Sequence, residues 1–180
     1  MSMKLPLLLL HGALASEAQL KPLARELAGT YAVHPLGFPG HGGRALVPEL
    51  FTMRQFAAEV LRYLQEQQLE AVHVFGYSMG GYAALAAATQ APTHFRSITT
   101  LGTKFDWTPA TAALETRFLD ADTMQQKVPQ YVEQLTRLHA PTPLPNLLQA
   151  TASLMRSLGG APLLTPDNLA ALEVPVQVLV

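Results

Sequence analysis

No cysteine occurs in the 180 residues, which excludes disulfides, thiolate metal sites and a cysteine nucleophile together. Charge is also scarce: 14% of residues are Asp, Glu, Lys or Arg, against roughly 25% in an ordinary soluble domain. The 12 basic and 13 acidic side chains nearly cancel to a net charge of −1. With no basic stripe, no nucleic-acid partner is expected. No apolar run has the length of a membrane-spanning helix, so no membrane partner is expected either. Leu5-Pro6-Leu7-Leu8-Leu9-Leu10 followed by Ala13-Leu14-Ala15 imitates a signal peptide with its cleavage site. The run is short for that purpose and His11-Gly12 interrupts it, so it reads as a buried strand. No G-x-G-x-x-G opens a helix, no G-K-[ST] occurs, and no His, Asp or Glu set has metal spacing. Neither a cofactor nor a metal is therefore expected. The lack of a signal and of cysteines points to a cytoplasmic location.

What the chain does have is apolar residues, 49% of the total. Such a balance suits a sheet buried on both faces, whose strands are continuous apolar runs. Five segments fit that pattern: Leu5–Leu10, Tyr31–Leu36, 71–75, 97–101 and 176–180. Between them lie helical patterns. Ser16 with Gln19, and Thr52 with Gln55, are capping-box signatures for helices reaching about Ala28 and Gln68. In the second, Phe56, Val60, Leu61 and Leu64 form one apolar face. A third helix begins at Ser78 and continues through the Ala-rich stretch. Strand–helix alternation of this kind gives βαβ units and a parallel sheet. After Leu101 the rhythm changes to helices broken by prolines, expected at 108–119, 129–139 and 145–158, the last stopped by Gly159-Gly160, with a short one from Thr165. The expected fold class is thus α/β, a mostly parallel sheet with flanking helices and a helical insertion. Its division is a core at 1–102, a helical lid at 103–173, and the next core strand at 174–180. A lid would sit over the carboxyl edge of the sheet, where open α/β sheets bind ligands.

The sharpest motif is Gly76-Tyr77-Ser78-Met79-Gly80-Gly81, between an apolar strand and an Ala-rich helix. A strand that turns at once into a helix lifts the turn residue clear of the sheet, and the sharp reversal needs glycine on both sides. The helix then points its unpaired N–H groups at any negative charge developing on a carbonyl attacked by Ser78. His11-Gly12-Ala13 follows the first strand, and Phe38-Pro39-Gly40-His41-Gly42-Gly43-Arg44 follows the second. On these three motifs, in this order, residues 5 to about 102 resemble the α/β-hydrolase superfamily. The resemblance implies that Ser78 is the nucleophile and that the backbone N–H groups of Ala13 and Met79 form the oxyanion hole. It also implies that His11 is structural, and His41 is read as bracing its loop. The family commonly carries an Asp shortly before the proline of the second loop, where this chain has Leu36-Gly37-Phe38.

A serine hydroxyl needs an imidazole to take its proton and a carboxylate to orient that imidazole. In the superfamily these follow the nucleophile in the order acid, then histidine. The acid is expected just after the strand at 174–180, hence beyond Val180, with the histidine further on. Asp106 is the nearest substitute acid, but a solvated loop residue paired with Lys104 is the simpler reading. Among the histidines, His34, His73 and His94 have no motif context, and His139 in the lid is the one to test as a base. Lys127, Arg137 and Arg156 read as solvated helix faces. Two functions stand open. One is a serine hydrolase acting on a carboxylic ester or related small-molecule acyl compound, with the 180-residue chain by itself inactive for want of acid and base. The other is a non-catalytic module binding a ligand or partner through the same cleft. An uncovered terminal strand also predicts self-association of the isolated chain.

Overall fold

The computed structural model describes residues 4–180; positions 1–3 of the expected core lie outside them. Five strands form one sheet: β1 (Leu5–Leu10), β2 (Tyr31–Leu36), β3 (Val72–Tyr77), β4 (Phe95–Leu101) and β5 (Val176–Leu179). All pairings are parallel, in the order β2-β1-β3-β4-β5. The chain crosses from β1 to β2 on one side, then returns to place β3 on the other side of β1. That reversal opens a crevice at the carboxyl ends of β1 and β3.

Helices cover both faces. On β1 the alternation is strict: Leu8 and Leu10 pack with α2 (Met53–Glu66) and α3 (Met79–Ala88), while Leu7 and Leu9 pack with Leu20 of α1 (Glu17–Leu27). A strand buried on both sides has no polar face to offer, hence its run of leucines. On α2, Phe56, Val60 and Leu64 are fully buried, and each contributes about 2 kcal/mol on area grounds. All ten residues of α3 are buried. It packs against β3, β4 and α2, and its alanines leave no bulk to hold these neighbours away. Between β4 and β5 the chain forms α4 (Pro109–Thr116), α5 (Ala121–Lys127), α6 (Pro129–His139), α7 (Leu144–Gly160) and α8 (Pro166–Ala170). No helix among the described residues is long and apolar enough to cross a membrane.

The structure departs from the sequence expectations in several places. β3 runs on to Tyr77 and β4 begins at Phe95, because their pairing starts at Val72 opposite Phe95 and passes through a register shift. The expected Ser16–Gln19 pairing at α1 is present, the Gln19 side chain accepting from the Ser16 N–H (3.0 Å). At α2 the Thr52 hydroxyl accepts from the Gln55 N–H (3.2 Å), which caps that helix from one side. α4 ends at Thr116, and Asp120 starts the additional helix α5 by accepting from the Thr123 N–H (2.8 Å). Gly159-Gly160 does not stop α7, which includes both. A Cβ on Gly159 would lie 2.7 Å from the Cβ of Ala112 and 2.8 Å from the Thr108 carbonyl oxygen. The glycine serves a close crossing of α7 over α4 rather than a helix end.

Candidate active site at the carboxyl ends of β1 and β3

Ser78 sits at the turn between β3 and α3 with φ 50° and ψ −113°. This is left-handed backbone that a non-glycine residue adopts only when its surroundings hold it there. They do: the Ser78 N–H donates to the Leu101 carbonyl (2.8 Å), and the Thr103 hydroxyl donates to the Ser78 carbonyl (3.0 Å). The space around the turn admits only glycine. A Cβ on Gly76 would lie 2.5 Å from the Gly81 backbone, and one on Gly80 would lie 2.6 Å from the Leu10 carbonyl oxygen and 2.7 Å from that of His11. The Ser78 side chain is half-buried, neither sealed in the core nor free on the surface.

The loop after β1 lies against it. A methyl group on Gly12 would stand 3.3 Å from the Ser78 Cβ. The peptide joining Gly12 to Ala13 is held by its oxygen, which accepts from the Ala15 N–H (3.2 Å) and from His11 Nδ1 (2.8 Å). In a trans peptide the N–H points opposite to the C=O, so anchoring Gly12 O directs the Ala13 N–H away from those partners. That N–H donates to no acceptor among the described residues. Met79 is the first residue of α3, and its N–H is one of the four that lack a partner within the helix. Ala13, Ser78 and Met79 line one cleft that is partly open to solvent. Its other walls are Met53 of α2, Tyr82 of α3, Lys104 and Trp107 beyond β4, and Thr151, Leu154, Met155 and Leu158 of α7.

Three buried histidines brace the loops behind this cleft. His11, 1% exposed, receives the Phe38 N–H on Nε2 (3.1 Å). With Nδ1 donating to Gly12, the ring is neutral, and burial lowers its pKa to about 4. His41 is equally buried, its Nδ1 donating to the Pro39 carbonyl (3.0 Å) and its Nε2 without a partner. Burial and the neighbouring His11 lower it to about 3. His139, fully buried at the end of α6, does not reach the cleft. Its Nδ1 accepts from the Gly42 N–H (3.0 Å) and its Nε2 donates to the Leu14 carbonyl (3.1 Å). With both ring nitrogens occupied and its pKa lowered by burial, it is a brace and not a free base. The loop after β2 is tied to α2 by Glu59, which holds Arg44 and Arg62 at 2.7 Å each. Burial would raise the Glu59 pKa, but hydrogen bonds from Arg62 and Arg44 outweigh it and hold the carboxyl below its usual range.

The remaining sequence candidates fall away from the cleft. Asp106 is exposed, and Lys104 pairs with Glu115 (3.5 Å) instead. His73 meets the Ser97 hydroxyl (2.8 Å), and His34 the Tyr63 hydroxyl (3.4 Å). Lys127, Arg137 and Arg156 are exposed. Among the described residues the cleft is lined by no histidine or carboxylate, and no group of three or more acidic, His or Cys side chains could hold a metal ion. The residues missed from sequence are the walls. Thr151, Leu154 and Leu158 carry a helical spacing that marks a common face; Met53, Tyr82 and Trp107 carry no such signal.

A family model described as alpha/beta hydrolase fold matches residues 6–170. The chain belongs to this family. Among curated members and relatives, it is 33% identical over 96 residues to the pimeloyl-[acyl-carrier protein] methyl ester esterase of Aeromonas hydrophila, covering 53% of this chain and 36% of that protein. It is 40% identical over 72 residues to the dihydrolipoyllysine-residue acetyltransferase component of the acetoin cleaving system of Cupriavidus necator, covering 40% of this chain and 19% of that protein. The chain thus spans about a third and about a fifth of these relatives. NosK from Streptomyces actuosus superposes with a TM-score of 0.77 at 24% identity, covering 97% of this chain and 75% of that one. That likeness is one of fold. As an α/β-hydrolase, the chain places the crevice of its sheet where the Ser78 turn and the Ala13 loop meet.

Proposed function

We propose that this chain carries the nucleophile and oxyanion hole of a serine hydrolase acting on a carboxylic ester or a related acyl compound. The observation that carries the reading is the meeting of a left-handed Ser78 with two free amides, Ala13 and Met79, in one apolar cleft. Ser78 Oγ attacks the acyl carbonyl carbon as its proton passes to a base or to water, and the C=O π pair moves onto the carbonyl oxygen, which gains negative charge. The Ala13 and Met79 N–H groups receive that charge, and one such donor is worth roughly 3 kcal/mol of barrier. Collapse of the adduct expels the alcohol and leaves an acyl-Ser78 that water hydrolyses. Met53, Trp107, Leu154 and Leu158 offer the acyl chain apolar walls. Because α7 supplies four wall residues, helices α4–α8 act as the lid. The ester chemistry named for the Aeromonas relative supports this substrate class.

The described residues bring no base to Ser78, so the 180-residue chain by itself is expected to show little turnover. Loss of triad partners costs on the order of 10⁴–10⁶ in rate. The test uses protein expressed from the complete gene. Fluorophosphonate should label it, and Ser78→Ala should abolish labelling and lower p-nitrophenyl ester hydrolysis by at least about 10⁴-fold. Equal labelling of both proteins refutes Ser78 as nucleophile and leaves the cleft as a binding site.

A further inference from the structure

We propose that His139 is a positioning residue for the oxyanion hole, acting from the helical insertion on the loop that carries Ala13. The proposal rests on the hydrolase reading above and extends it to a residue 61 positions beyond Ser78. Ala13 and Leu14 are the middle residues of a turn closed by the Ala15 N–H on the Gly12 carbonyl (3.2 Å). Leu14 has φ 56°, a left-handed conformation that a branched side chain disfavours and that turns of this kind usually give to glycine or asparagine. Left to its own preferences, the turn would relax, and the Ala13 amide would swing with it.

The turn is held at two carbonyls: that of Gly12, in the same peptide as the Ala13 amide, and that of Leu14, at the far corner of the turn. His11 holds Gly12 O, and His139 Nε2 holds Leu14 O at 3.1 Å across 125 positions of sequence. The other nitrogen of His139 receives the N–H of Gly42 at 3.0 Å, itself left-handed at φ 59°. One imidazole therefore joins the loop after β1, the loop after β2 and the end of α6. It is fully buried, with the His41 ring edge-on at 5.7 Å, so it cannot trade either bond for water. A side chain needed only for bulk would not require a donor on one edge and an acceptor on the other.

The experiment measures ester hydrolysis by protein expressed from its complete gene, with sites counted by fluorophosphonate labelled to completion. His139→Phe keeps a flat ring and removes both hydrogen bonds. It should lower kcat per labelled site by about 10- to 100-fold, somewhat less than outright loss of an oxyanion donor, with KM within about twofold. Affinity for a trifluoromethyl ketone, whose adduct carries the oxyanion, should fall in step with kcat/KM. His139→Gln, whose amide can donate to Leu14 O or accept from Gly42, should recover part of the loss; it also serves if the Phe variant does not fold. The proposal is overturned if kcat per labelled site stays within threefold, if the loss falls on KM, or if the ketone binds unchanged. If Ser78→Ala turns over like the parent, the hydrolase reading fails instead, and the two failures are distinct.

Discussion

Mild acidification should destabilise this protein through its buried histidines. His11 and His41 have folded pKa values of about 4 and about 3, against roughly 6.5 for an exposed imidazole. The sign follows from proton counting. Above about pH 7 both states hold the rings neutral, and stability is full. As pH falls below about 6.5 the unfolded chain takes up protons that the folded rings refuse, so stability drops until the folded rings protonate in turn. Each pH unit inside that window costs about 1.4 kcal/mol per histidine. Between pH 6.5 and 5 that amounts to about 1–2 kcal/mol each, or about 3 kcal/mol for the pair. His139, also lowered by burial, acts in the same direction. Set against a usual stability of about 5–15 kcal/mol, the loss is large. Urea unfolding at pH 7.5 and pH 5.0 should show the midpoint falling by about 1–2 M, given slopes near 2 kcal/mol per molar. His41→Phe, which removes one titrating ring beside Phe51 and Phe56, should flatten the dependence. Midpoints within about 0.3 M of each other at the two pH values would refute neutral burial of these rings.

Two substitutions test the packing around the cleft. Gly159→Ala places a methyl 2.7 Å from Ala112 Cβ and should cost about 1–3 kcal/mol, visible as a lower Tm by calorimetry; an unchanged Tm would mean that α4 and α7 do not cross so closely. Tyr82→Phe leaves the N–H groups of Leu163 and Leu164, now donating to its hydroxyl at 3.1 and 3.0 Å, without an acceptor. About 2–4 kcal/mol should be lost, and hydrogen exchange at those two amides should accelerate.

How much could be read in advance depended on how local the signal was. β1 and β2 were legible to the residue because a Leu run and a Tyr-to-Leu run are bounded by His-Gly and Gly-Phe. The Ser78 turn was legible because the demand on Gly76 comes from Gly81, five residues on and inside the same motif. α5 was missed although Asp120 and Thr123 form its cap, since no apolar periodicity follows them. Gly159-Gly160 misled, because a glycine that ends a helix and one that admits a neighbouring helix look alike until Ala112 is placed. His139 was singled out for the wrong reason. Its candidacy as a base came from position in the insertion, while its two backbone partners, Leu14 and Gly42, lie about a hundred residues away and leave no trace in spacing. The α7 walls Thr151, Leu154 and Leu158 did carry a helical spacing, but that spacing does not say which cleft their common face meets.

The seating of Gly80 on the Leu10 and His11 carbonyl oxygens has a consequence for how this cleft could adapt. With no side chain between them, the start of α3 and the end of β1 are one unit, and Ser78, Met79 and the root of the Ala13 turn ride on it together. If the proposed hydrolase reading holds, widening for a larger acyl group would come from the walls outside that unit: Met53, Trp107 and, on α7, Thr151, Leu154 and Met155. Redesign of scope would then belong on those walls; changes at the glycines would tear the unit apart before they altered its preference.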